Sequence, residues 1–389
     1  MNILYNHRTQ GKAVERVHIL GVVNALRKMG NNVDVMSVPG VDIFQKQEKQ
    51  VPTNTAVNFS VLSFLSSRVH GSIFELFELL YNFVLLFRLL SYFRNKNVDF
   101  VYERYSLYMF VTVLLCKILR KKIILEINDS VAVSRVRTCH FKFMARLIER
   151  WVLKNATGLV IISNNFKNTL VEAYGDIADY VISPNAVDSD LFIPDINKVK
   201  LIREKYKLDN EAVICGFTGA FLRWHGIDWF VNKAIKRITE NNNLILLLVG
   251  DGELFTQIKS DVVSAGLEKR IILTGRVSHD EIANYLGVMD FAIMPDSNEY
   301  GSPMKLFEYM SCGLGTVIPA YDPVKECVEN NVNGWLTDIG DQDSFINKVM
   351  AVSFDRKVFN EIGENASSYI KSNRQWTDNA EQLLSLLGE

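Results

Sequence analysis

The sequence predicts an α/β protein of two Rossmann-like domains, each built on a parallel sheet. The 389 residues are enough for two or three domains, at roughly 100–200 residues per domain. Short β-branched apolar runs alternate with longer helical patterns, which is typical of parallel sheets that helices cover on both faces. Two such series follow each other, so we place one domain at residues 1–187 and the other at residues 188–369.

The first series alternates regularly from the N-terminus. Its strands are continuous apolar runs, and its helices carry apolar residues at spacings of three and four. Gly30 is a typical stop for the first helix. The predicted strands are MNILYN, NVDVMSV, VDFVYERY, KIILEIN, GLVIIS and ADYVISPNAV. The predicted helices are AVERVHILGVVNALRKMG, SIFELFELLYNFVLLFRLLSYF, LYMFVTVLLCKILRK, FKFMARLIERWVLKNA and NFKNTLVEAYG.

The second series repeats this rhythm. Its predicted strands are AVICGFTG, LILLLVGDG, IILTG, FAIMP and TVIPA. Its predicted helices are GIDWFVNKAIKRITE, ELFTQIKSDVVSAG, DEIANYLGVM and SPMKLFEYMSCG. Ligands of such sheets bind beyond the carboxyl ends of the strands. The loops after CGFTG, LVGDG, LTG and IMP therefore form the candidate site.

Charge divides the chain into two unlike halves. The formal net charge is −1, but residues 1–185 hold 23 Lys+Arg and 14 Asp+Glu, whereas residues 186–389 hold 20 and 30. Opposed halves indicate domains with different partners, although drift among surface positions gives the same pattern. The five cysteines are widely spaced and form no CxxC pair, so we expect reduced thiols and no metal site.

The N-terminus does not resemble a signal peptide, because it lacks a basic start and an apolar core of sufficient length. The most apolar stretch, residues 72–93, is interrupted by Glu75, Glu78, Asn82 and Arg88. Charges near a bilayer centre cost at least about 2.5 kcal/mol each, so we expect no membrane span there. We expect this helix to be buried in the core; docking on a membrane interface is the alternative.

Two glycine-containing turns follow strands of the second domain. FTGAFLRWHG, residues 217–226, places Gly219 at a strand end and Arg223 and His225 just before a helix. Glycine permits close approach of a ligand, and an arginine suits phosphate; a solvated surface turn is the alternative. LVGDGE, residues 248–253, is a turn but not the GxGxxG fingerprint of dinucleotide sites, and alone it indicates only a tight turn.

The stretch GSPMKLFEYMSCG, residues 301–313, predicts a helix with Ser302 as its N-cap and Pro303 at its first position. Its first turn would suit a diphosphate, and Lys305 would add a positive charge. Glu308 lies one turn further on the same face and could accept hydrogen bonds from a ribose diol. An ordinary surface ion pair between these two residues is the alternative.

The whole series of motifs resembles glycosyltransferase family 4, the retaining enzymes of GT-B fold, over nearly the whole chain. The motifs occur in the family's order: ILYNHRTQGKAVERVHILGVVNALRKMGNNVDV, VDFVYERYS, IILEINDS, ATGLVIISNNFKNTL, ISPNAVDSDLFIP, FTGAFLRWHGIDWFVNKA, LLLVGDGE, ILTGRVSHDEIANYLGVMDFAIMP, SPMKLFEYMSCGLGTVIPA, NGWLTD and QWTDNAEQLL. The resemblance implies two Rossmann-like domains whose parallel sheets face a central cleft, with a C-terminal helix over residues 370–389 packed back on the first domain.

The resemblance also assigns roles by position. Glu308 matches the glutamate that holds the donor ribose, whereas Tyr300 stands where the family usually has a glutamate for the transferred sugar, one residue from Glu299. This resembles a branch written Ser-Pro-x-Lys-x-Phe-Glu-Tyr. Ala220 replaces the usual arginine of the first donor loop and His225 the usual lysine. The motif LEINDS has no histidine at the place where many members carry one, so no catalytic base is assigned.

The expected site therefore has three parts. Arg223 and Lys305 are expected to stabilise charge on the leaving diphosphate. The expected donor-binding residues are Gly219, His225, Gly250, Asp251, Gly275, Val277, Ser302, Pro303, Met304 and Glu308. The expected residues on the acceptor side and in the phosphate loop are Gly11, His18, Glu126 and Asn128. Members of the family generally need no metal, and we expect neither a metal nor another cofactor.

The resemblance implies a nucleotide diphosphate-sugar donor and a glycan or lipid-linked acceptor in surface polysaccharide assembly, with no nucleic-acid partner. Residues 120–154 hold nine basic and three acidic residues, which favours peripheral contact with an anionic membrane over ordinary solvated surface. We expect a cytoplasmic protein on the inner membrane face.

Two other classes stay open. One is a non-catalytic nucleotide-sugar-binding subunit of a transferase complex. The other is a nucleotide-sugar epimerase of GT-B fold, which the lack of an acid/base cluster disfavours.

Overall fold

The computed structural model describes residues 1–10, 14–45, 71–133, 139–238, 243–297, 299 and 301–388. The chain contacts divide the protein into two units. Unit 1 comprises Met1–Pro184 and Trp376–Glu389, and unit 2 comprises Asn185–Gln375. The chain thus leaves the first unit once and returns to it at the C-terminus. Unit 1 first ends at Pro184, three residues before the expected domain boundary at residue 187. It resumes at Trp376, six residues after residue 370, where the C-terminal helix was expected to begin.

The described part of unit 1 contains a six-stranded parallel sheet in the order β2-β1-β3-β4-β5-β6. The strands are β1 (Asn2–His7), β2 (Asn32–Met36), β3 (Phe100–Arg104), β4 (Lys122–Ile127), β5 (Gly158–Ile161) and β6 (Tyr180–Ile182). All residues of β5 and nearly all of β1, β3 and β4 are buried. Continuous apolar runs of this kind are required when both faces of a parallel sheet are covered.

The helices of unit 1 connect these strands. In the described residues they are α1 (Val14–Lys28), α2 (Gly71–Asn95), α3 (Val111–Ile118), α4 (Lys142–Asn155), α5 (Asn164–Tyr174) and α14 (Trp376–Ser385). α14 packs on α1, where Gly21 leaves room for the indole of Trp376: a Cβ atom at Gly21 would lie 2.3 Å from it. The C-terminal residues of the chain are therefore part of the first unit.

The described part of unit 2 contains a second six-stranded parallel sheet, in the order β12-β11-β10-β7-β8-β9. Its strands are β7 (Val213–Thr218), β8 (Leu244–Val249), β9 (Ile271–Gly275), β10 (Phe291–Ile293), β11 (Thr316–Pro319) and β12 (Trp335–Thr337). Successive residues of β7 point to opposite faces of the sheet. Accordingly, Ile214 belongs to one hydrophobic cluster and Cys215 to another, so each face of the sheet has its own core.

The helices of the described part of unit 2 are α6 (Ile196–Lys205), α7 (Ile227–Arg237), α8 (Phe255–Ser264), α9 (Ile282–Leu286), α10 (Met304–Ser311), α11 (Asp322–Lys325), α12 (Gln342–Ser353) and α13 (Lys357–Asn373). Short 3-10 turns precede α6, α7 and α9, at Ser189–Leu191, Arg223–His225 and His279–Glu281. α10 packs against α13 and β11.

The structure confirms the predicted α/β class and the two parallel sheets. The sequence-based prediction omits α6, α11, α12, α13 and β12. The helix expected over residues 370–389 is interrupted, since α13 ends at Asn373 and α14 begins at Trp376. All five cysteines are free thiols. In the described ranges, no helix combines the length and the hydropathy that crossing a membrane requires.

The expectation that residues 72–93 are buried in the core is wrong. α2 buries Glu75, Glu78, Asn82, Leu85 and Leu89. The opposite face is apolar and exposed: Ile73, Leu76, Phe77, Leu80, Phe83, Val84, Phe87 and Leu90. The polar residues that interrupt the sequence pattern are therefore the ones that hold α2 to unit 1.

Candidate functional site

The strand order of unit 2 reverses between β7 and β10, which are neighbours in the sheet. From β7 the order continues to β8 and β9, and from β10 it continues to β11 and β12. Open parallel sheets bind ligands at such a switch point, beyond the carboxyl ends of the strands. The loop after β7 and the start of α10, which follows β10, therefore define the candidate site.

Lys305, in the first turn of α10, points to the end of β7. Its Nζ lies 2.8 Å from Nε2 of His225. The same ammonium lies 5.2 Å from the ring centroid of Phe217 and 5.9 Å from that of Trp224. Aromatic faces attract a cation. Lys305 and His225, which are eighty positions apart in the sequence, thus form one basic pair beside the rings of Phe217 and Trp224.

His225 is buried, and its other ring nitrogen, Nδ1, lies 2.6 Å from the carbonyl oxygen of Ala220. A carbonyl only accepts, so Nδ1 carries the proton and Nε2 accepts from the Lys305 ammonium. The Trp224 ring lies against the imidazole, with ring centroids 3.7 Å apart and the ring planes tilted by 50°. Burial, and then the positive charge of Lys305, lowers the pKa of His225 to about 4. His225 is therefore neutral at physiological pH.

Burial lowers the pKa of Lys305 from 10.5 to about 7, and the Glu308 carboxylate opposes this shift. A buried ammonium without a carboxylate in contact is costly, and the neutral amine becomes competitive near neutral pH. An anion bound beside Nζ would restore the charge. The site is thus suited to a negatively charged ligand.

Glycines stand at the ends of three neighbouring strands, and Gly219 lies against Lys305. Gly219 has φ +142°, and a Cβ atom there would lie 2.6 Å from Cε of Lys305. Gly250 has φ +148°, and its Cβ atom would collide with the carbonyl oxygen of Gly219 at 1.9 Å. The N–H of Gly250 donates to the carbonyl of Gly275 at 3.1 Å. Only glycine fits the close approaches at Gly219 and Gly250.

Glu308 lies one turn beyond Lys305 and faces a different partner. Its Oε1 is 3.4 Å from Nε2 of His279, an exposed histidine in the 3-10 turn before α9. The side chain of Glu308 is 12% exposed. No hydrogen bond joins Lys305 and Glu308 among the described contacts, so the simple surface ion pair weighed from the sequence is not what the structure shows. The carboxylate instead lies beside His279 and is only slightly exposed.

The predicted cap of the α10 helix is wrong by one residue. The helix begins at Met304, and its N-cap is Pro303, in an extended conformation without a side-chain cap. The hydroxyl of Ser302 instead accepts a hydrogen bond from the N–H of Asn185 at 2.9 Å. The Asn185 amide donates in turn to the carbonyl of Ser302 at 2.6 Å. Ser302 thus anchors the loop before α10 and does not cap the N-terminus of the helix.

Several predicted donor residues lie further out. Arg223 is exposed in the 3-10 turn after β7, and its guanidinium has no hydrogen bond to a described residue. Asp251 is exposed and accepts the N–H of Gly252 at 2.8 Å. Val277 packs on the core, and Met304 is buried. Of these four, only Arg223 brings a second cation to the edge of the site.

Tyr309 is a residue that the sequence-based prediction missed. Its buried hydroxyl lies 2.8 Å from the N–H and 3.1 Å from the carbonyl of Thr218, the last residue of β7. α10 is thereby fixed to the strand that carries the other half of the site. Trp224 and His279 were also missed. The sequence-based prediction named the residues on either side of Trp224, namely Arg223 and His225. A single sequence, however, does not show which aromatic or imidazole side chains reach a site only through tertiary contacts.

In unit 1, a buried carboxylate lies at the end of β4. Glu126 accepts hydrogen bonds from the hydroxyls of Tyr5 at 2.9 Å and Tyr102 at 3.0 Å, and His18 Nε2 lies 3.0 Å away. Arg104 and Asn128 also donate to it. The structure thus brings together the predicted residues His18, Glu126 and Asn128.

Burial would raise the pKa of Glu126, but the charges of His18 and Arg104 and the hydrogen bonds outweigh it and hold that pKa well below its usual range. Five donors saturate about four lone-pair positions of the carboxylate. Glu126 is 1% exposed. Such a group organises its surroundings and is poorly placed to take a proton from a ligand.

His7 adds a second buried histidine near this cluster, at the end of β1. Its ring nitrogens lie 3.1 Å from the hydroxyl of Thr9 and 2.9 Å from that of Ser37. Burial, and then the charge of Arg104, lowers the pKa of His7 to about 4. β1 and β3 are the neighbours at the switch point of this sheet. The sequence-based prediction did not name His7.

Two expectations lie outside the described residues: Gly11 as a phosphate-loop glycine, and Tyr300 in the place of a glutamate. Glu299 is described and exposed. Among the described residues, no group of three or more His, Cys, Asp or Glu side chains is arranged to hold a metal ion. Independence from metals stays a prediction.

Comparison with known proteins adds family information to this geometry. Residues 16–191 match the family model described as Glycosyltransferase Family 4, and residues 212–355 match the model described as Glycosyl transferases group 1. Solved structures similar over the whole chain include the Anabaena protein Alr3699/HepE in complex with UDP, with TM-score 0.71, 15% identity and coverage of 100% of this chain and 99% of that one. A glycosyltransferase from Rickettsia africae has TM-score 0.73, 17% identity and the same coverage. The fold is therefore GT-B.

Curated relatives match a shorter part of the chain. A UDP-Gal:alpha-D-GlcNAc-diphosphoundecaprenol alpha-1,3-galactosyltransferase of Escherichia coli is 30% identical over 59% of each protein. A lipopolysaccharide 1,2-N-acetylglucosaminetransferase of Salmonella typhimurium is 24% identical over 58% of this chain and 60% of the relative. The chain thus spans about three-fifths of the length of these two relatives. Each half of the chain thus matches a glycosyltransferase model, and the fold is the one that solved GT-B proteins share.

Proposed function

We propose that the protein is a retaining glycosyltransferase that moves a sugar from a nucleotide diphosphate-sugar to a glycan or lipid-linked acceptor in surface polysaccharide assembly. The observation that carries this proposal is the placement of Lys305 and Glu308. They lie one turn apart on α10, at the switch point of the unit 2 sheet, with the Gly219 backbone against the lysine. The pair offers a cation for a diphosphate and a carboxylate for a sugar diol.

In this proposal the donor lies over the carboxyl ends of β7 and β10. Glu308 accepts hydrogen bonds from the ribose hydroxyls, and its neighbour His279 limits the position of that ring. Lys305 and the exposed Arg223 stabilise the charge that develops on the leaving diphosphate. His225 holds the Lys305 side chain in place rather than binding phosphate itself, because it is neutral and engaged at both nitrogens.

The retaining course follows from the family resemblance. The acceptor hydroxyl attacks the anomeric carbon on the face that the diphosphate leaves, and its proton passes to the departing phosphate oxygen. The bond from the anomeric carbon to that oxygen breaks while the new glycosidic bond forms. This scheme needs no protein base, which agrees with the saturated state of Glu126. The task of the protein is then to position the two substrates.

The donor and acceptor classes are supported by similar proteins. The Escherichia coli relative is described as transferring galactose from UDP-Gal to a GlcNAc-diphosphoundecaprenol, and the structurally similar Anabaena protein was solved with UDP. We therefore place uridine diphosphate sugars first among donors and polyprenyl diphosphate glycans first among acceptors. The protein then works at the membrane that holds its acceptor, on the cytoplasmic face.

A donor panel tests the proposal. The purified protein is titrated with UDP, GDP, ADP and CMP and then with their sugars, and its melting temperature and nucleotide release are followed. A ligand at 100 times its dissociation constant that binds only the folded state adds about 2.7 kcal/mol of stability, enough to detect. We expect one diphosphate to stabilise the protein and its sugar to be slowly hydrolysed. Binding without turnover, even with acceptor present, would instead favour a non-catalytic subunit.

A further inference from the structure

The exposed face of α2 is apolar along its whole length. Eight large side chains, from Ile73 to Leu90, recur at spacings of three and four residues. Phe83 and Phe87, at its centre, are 63% and 70% exposed. Soluble surfaces carry scattered apolar residues, but a continuous stripe of this size marks an interaction site.

The opposite, polar face of α2 is fixed by specific hydrogen bonds. Asn82 accepts the N–H groups of Phe110 and Val111 and donates to the carbonyl of Tyr108 at 2.8 Å. Glu78 accepts from Arg8 at 2.7 Å. Since these polar groups are buried and satisfied, a rotation of the helix that hid the apolar stripe would leave them without partners. The orientation of α2 is therefore set by its polar side.

α4 extends the apolar surface. Glu75 of α2 accepts the N–H groups of His140 and Phe141 at 2.6 and 3.0 Å, so it binds the start of α4 beside the start of α2. Next to this junction, α4 exposes Phe143 at 78% and also Leu147. The stripes on the two helices thus begin at one place. We call the exposed apolar residues of α2, with Phe141, Phe143 and Leu147, the docking face.

Exposed positive charge far outnumbers exposed negative charge in the part of unit 1 that carries the docking face. Within the described residues from 71 to 155, Asp99 is the one acidic side chain in the exposed class. The exposed basic side chains of the same range are Arg94, Lys96, Lys117, Arg120, Lys122, Lys142, Arg146, Arg150 and Lys154. Arg146 and Arg150 share α4 with Phe143 and Leu147. Aromatic and aliphatic residues flanked by lysine and arginine are the pattern of a surface that lies on anionic lipid.

We propose that the docking face binds the surface of an anionic lipid bilayer. The phenylalanines would enter the headgroup region, and the basic residues would contact lipid phosphates. A second copy of this chain is a poorer occupant, because Arg146 and Arg150 of α4 would face the same two arginines of the other copy. Lipid binding by the docking face is inferred from the surface alone. Only the reason for it, access to a lipid-linked acceptor, rests on the proposed function. Arg8, which follows β1, pairs with the first turns of α2, so the docking face begins at the strand ends where Glu126 and Asn128 lie.

A vesicle experiment tests the inference with the full chain. Co-sedimentation is measured on phosphatidylcholine vesicles with and without phosphatidylglycerol, for the wild type and for Phe83→Ser/Phe87→Ser. We expect wild-type binding that needs the anionic lipid, and a loss of at least about tenfold in the double variant, from the apolar area removed. Arg146→Glu/Arg150→Glu is expected to weaken binding by about tenfold or more, through charge alone.

A matched control is available in unit 2. Leu191 and Ile193 are each 71% exposed and lie outside the docking face. Leu191→Ser/Ile193→Ser should bind vesicles like the wild type. Melting temperatures of all variants are compared to verify folding.

The inference is overturned if the wild type does not co-sediment with anionic vesicles, or if the Phe83→Ser/Phe87→Ser variant binds them as well as the wild type does. It is also overturned if the wild type is a dimer that this variant converts to a monomer while neither binds lipid. Donor hydrolysis measured without vesicles reports on the proposed function separately. Intact hydrolysis with no lipid binding would refute only the docking face, and lipid binding without hydrolysis would refute only the transferase.

Discussion

The ammonium nitrogen of Lys305 lies 2.8 Å from Nε2 of His225, so two basic side chains share one partly buried hydrogen bond. His225 is held as the acceptor by its own bond to the Ala220 carbonyl at 2.6 Å. Burial lowers the pKa of Lys305 from 10.5 to about 7, so its amine is only partly protonated near neutral pH. Whether it is charged depends on pH and on an anionic ligand.

The first prediction concerns proton uptake on binding. Below pH 7 Lys305 is already protonated, and a nucleotide diphosphate binds without taking up a proton there. Between pH 7 and 10.5 the free protein holds a neutral amine that the bound anion reprotonates, so affinity falls as pH rises. We expect titration calorimetry at pH 8, in two buffers of different ionisation enthalpy, to report net proton uptake.

The sign of the stability effect is a control for this prediction. The folded pKa of Lys305 lies below its unfolded value, so between pH 7 and 10.5 the unfolded chain binds more protons. This group alone therefore makes the free energy of unfolding rise with pH in that window. Lys305→Met should remove the rise and the proton uptake together. Buffer-independent heats in the wild type at pH 8 would contradict the assignment.

The second prediction concerns Glu308. Glu308→Ala should weaken binding of a nucleotide diphosphate by about 1–3 kcal/mol, the scale of losing hydrogen bonds to a charged group. Calorimetry on the nucleotide measures this directly. His279→Ala removes the 3.4 Å neighbour and leaves the carboxylate in place, so it should weaken binding less than Glu308→Ala does. A Glu308→Ala protein with wild-type affinity would remove this residue from the site.

The sequence was informative where a single element carries its own signal. Continuous apolar strands and helical spacing predicted both sheets, and one stretch of α10 contained Lys305 and Glu308 as a pair. Their partners could not be read from spacing. His225 and His279 reach the pair from loops eighty and twenty-nine positions away, and only the strand order brings them there.

The failure at α2 has a related physical cause. The hydrophobicity of a helix predicts which face is buried only when its polar residues have no hydrogen-bond partners on neighbouring elements. In α2 three polar residues find partners on neighbouring elements, including Glu75 with two backbone N–H groups. These bonds decide which face is inside. The cap of α10 failed in the same way, since Ser302 had a better partner in Asn185 than in its own helix.

The third prediction tests the glycine beside the lysine. An alanine at Gly219 would be strained at φ +142° and would place Cβ 2.6 Å from Cε of Lys305, so the lysine must move. We expect Gly219→Ala to lose about 1–3 kcal/mol of stability from strain and to bind a nucleotide diphosphate about tenfold more weakly. Denaturation and calorimetry measure the two effects.

Gly266→Ala separates strain from displacement. Gly266 has φ +66° and no atom within 4 Å of a Cβ position, so alanine there is strained but meets nothing. It should lower stability without changing affinity. Equal affinities for the Gly219 and Gly266 variants would show that close packing at Gly219 has no part in binding.

The fourth prediction concerns the role of Glu126. If this buried carboxylate organises unit 1, Glu126→Gln should destabilise the protein by about 3–5 kcal/mol, because Arg104 loses its counter-charge and an amide N–H faces other donors. Asn128→Ala, which removes one neutral donor, should cost only about 1 kcal/mol.

The pH dependence distinguishes the two roles of Glu126. Its folded pKa lies below the ordinary value of 4.5, so its contribution to stability is present above pH 4.5 and is lost as the pH falls below it. Glu126→Gln should flatten that acid limb of the unfolding curve. A general base would give another result: an unchanged melting temperature, with a turnover rate that falls and loses its acid-side pH dependence. The five donors around the carboxylate lead us to expect the loss of stability.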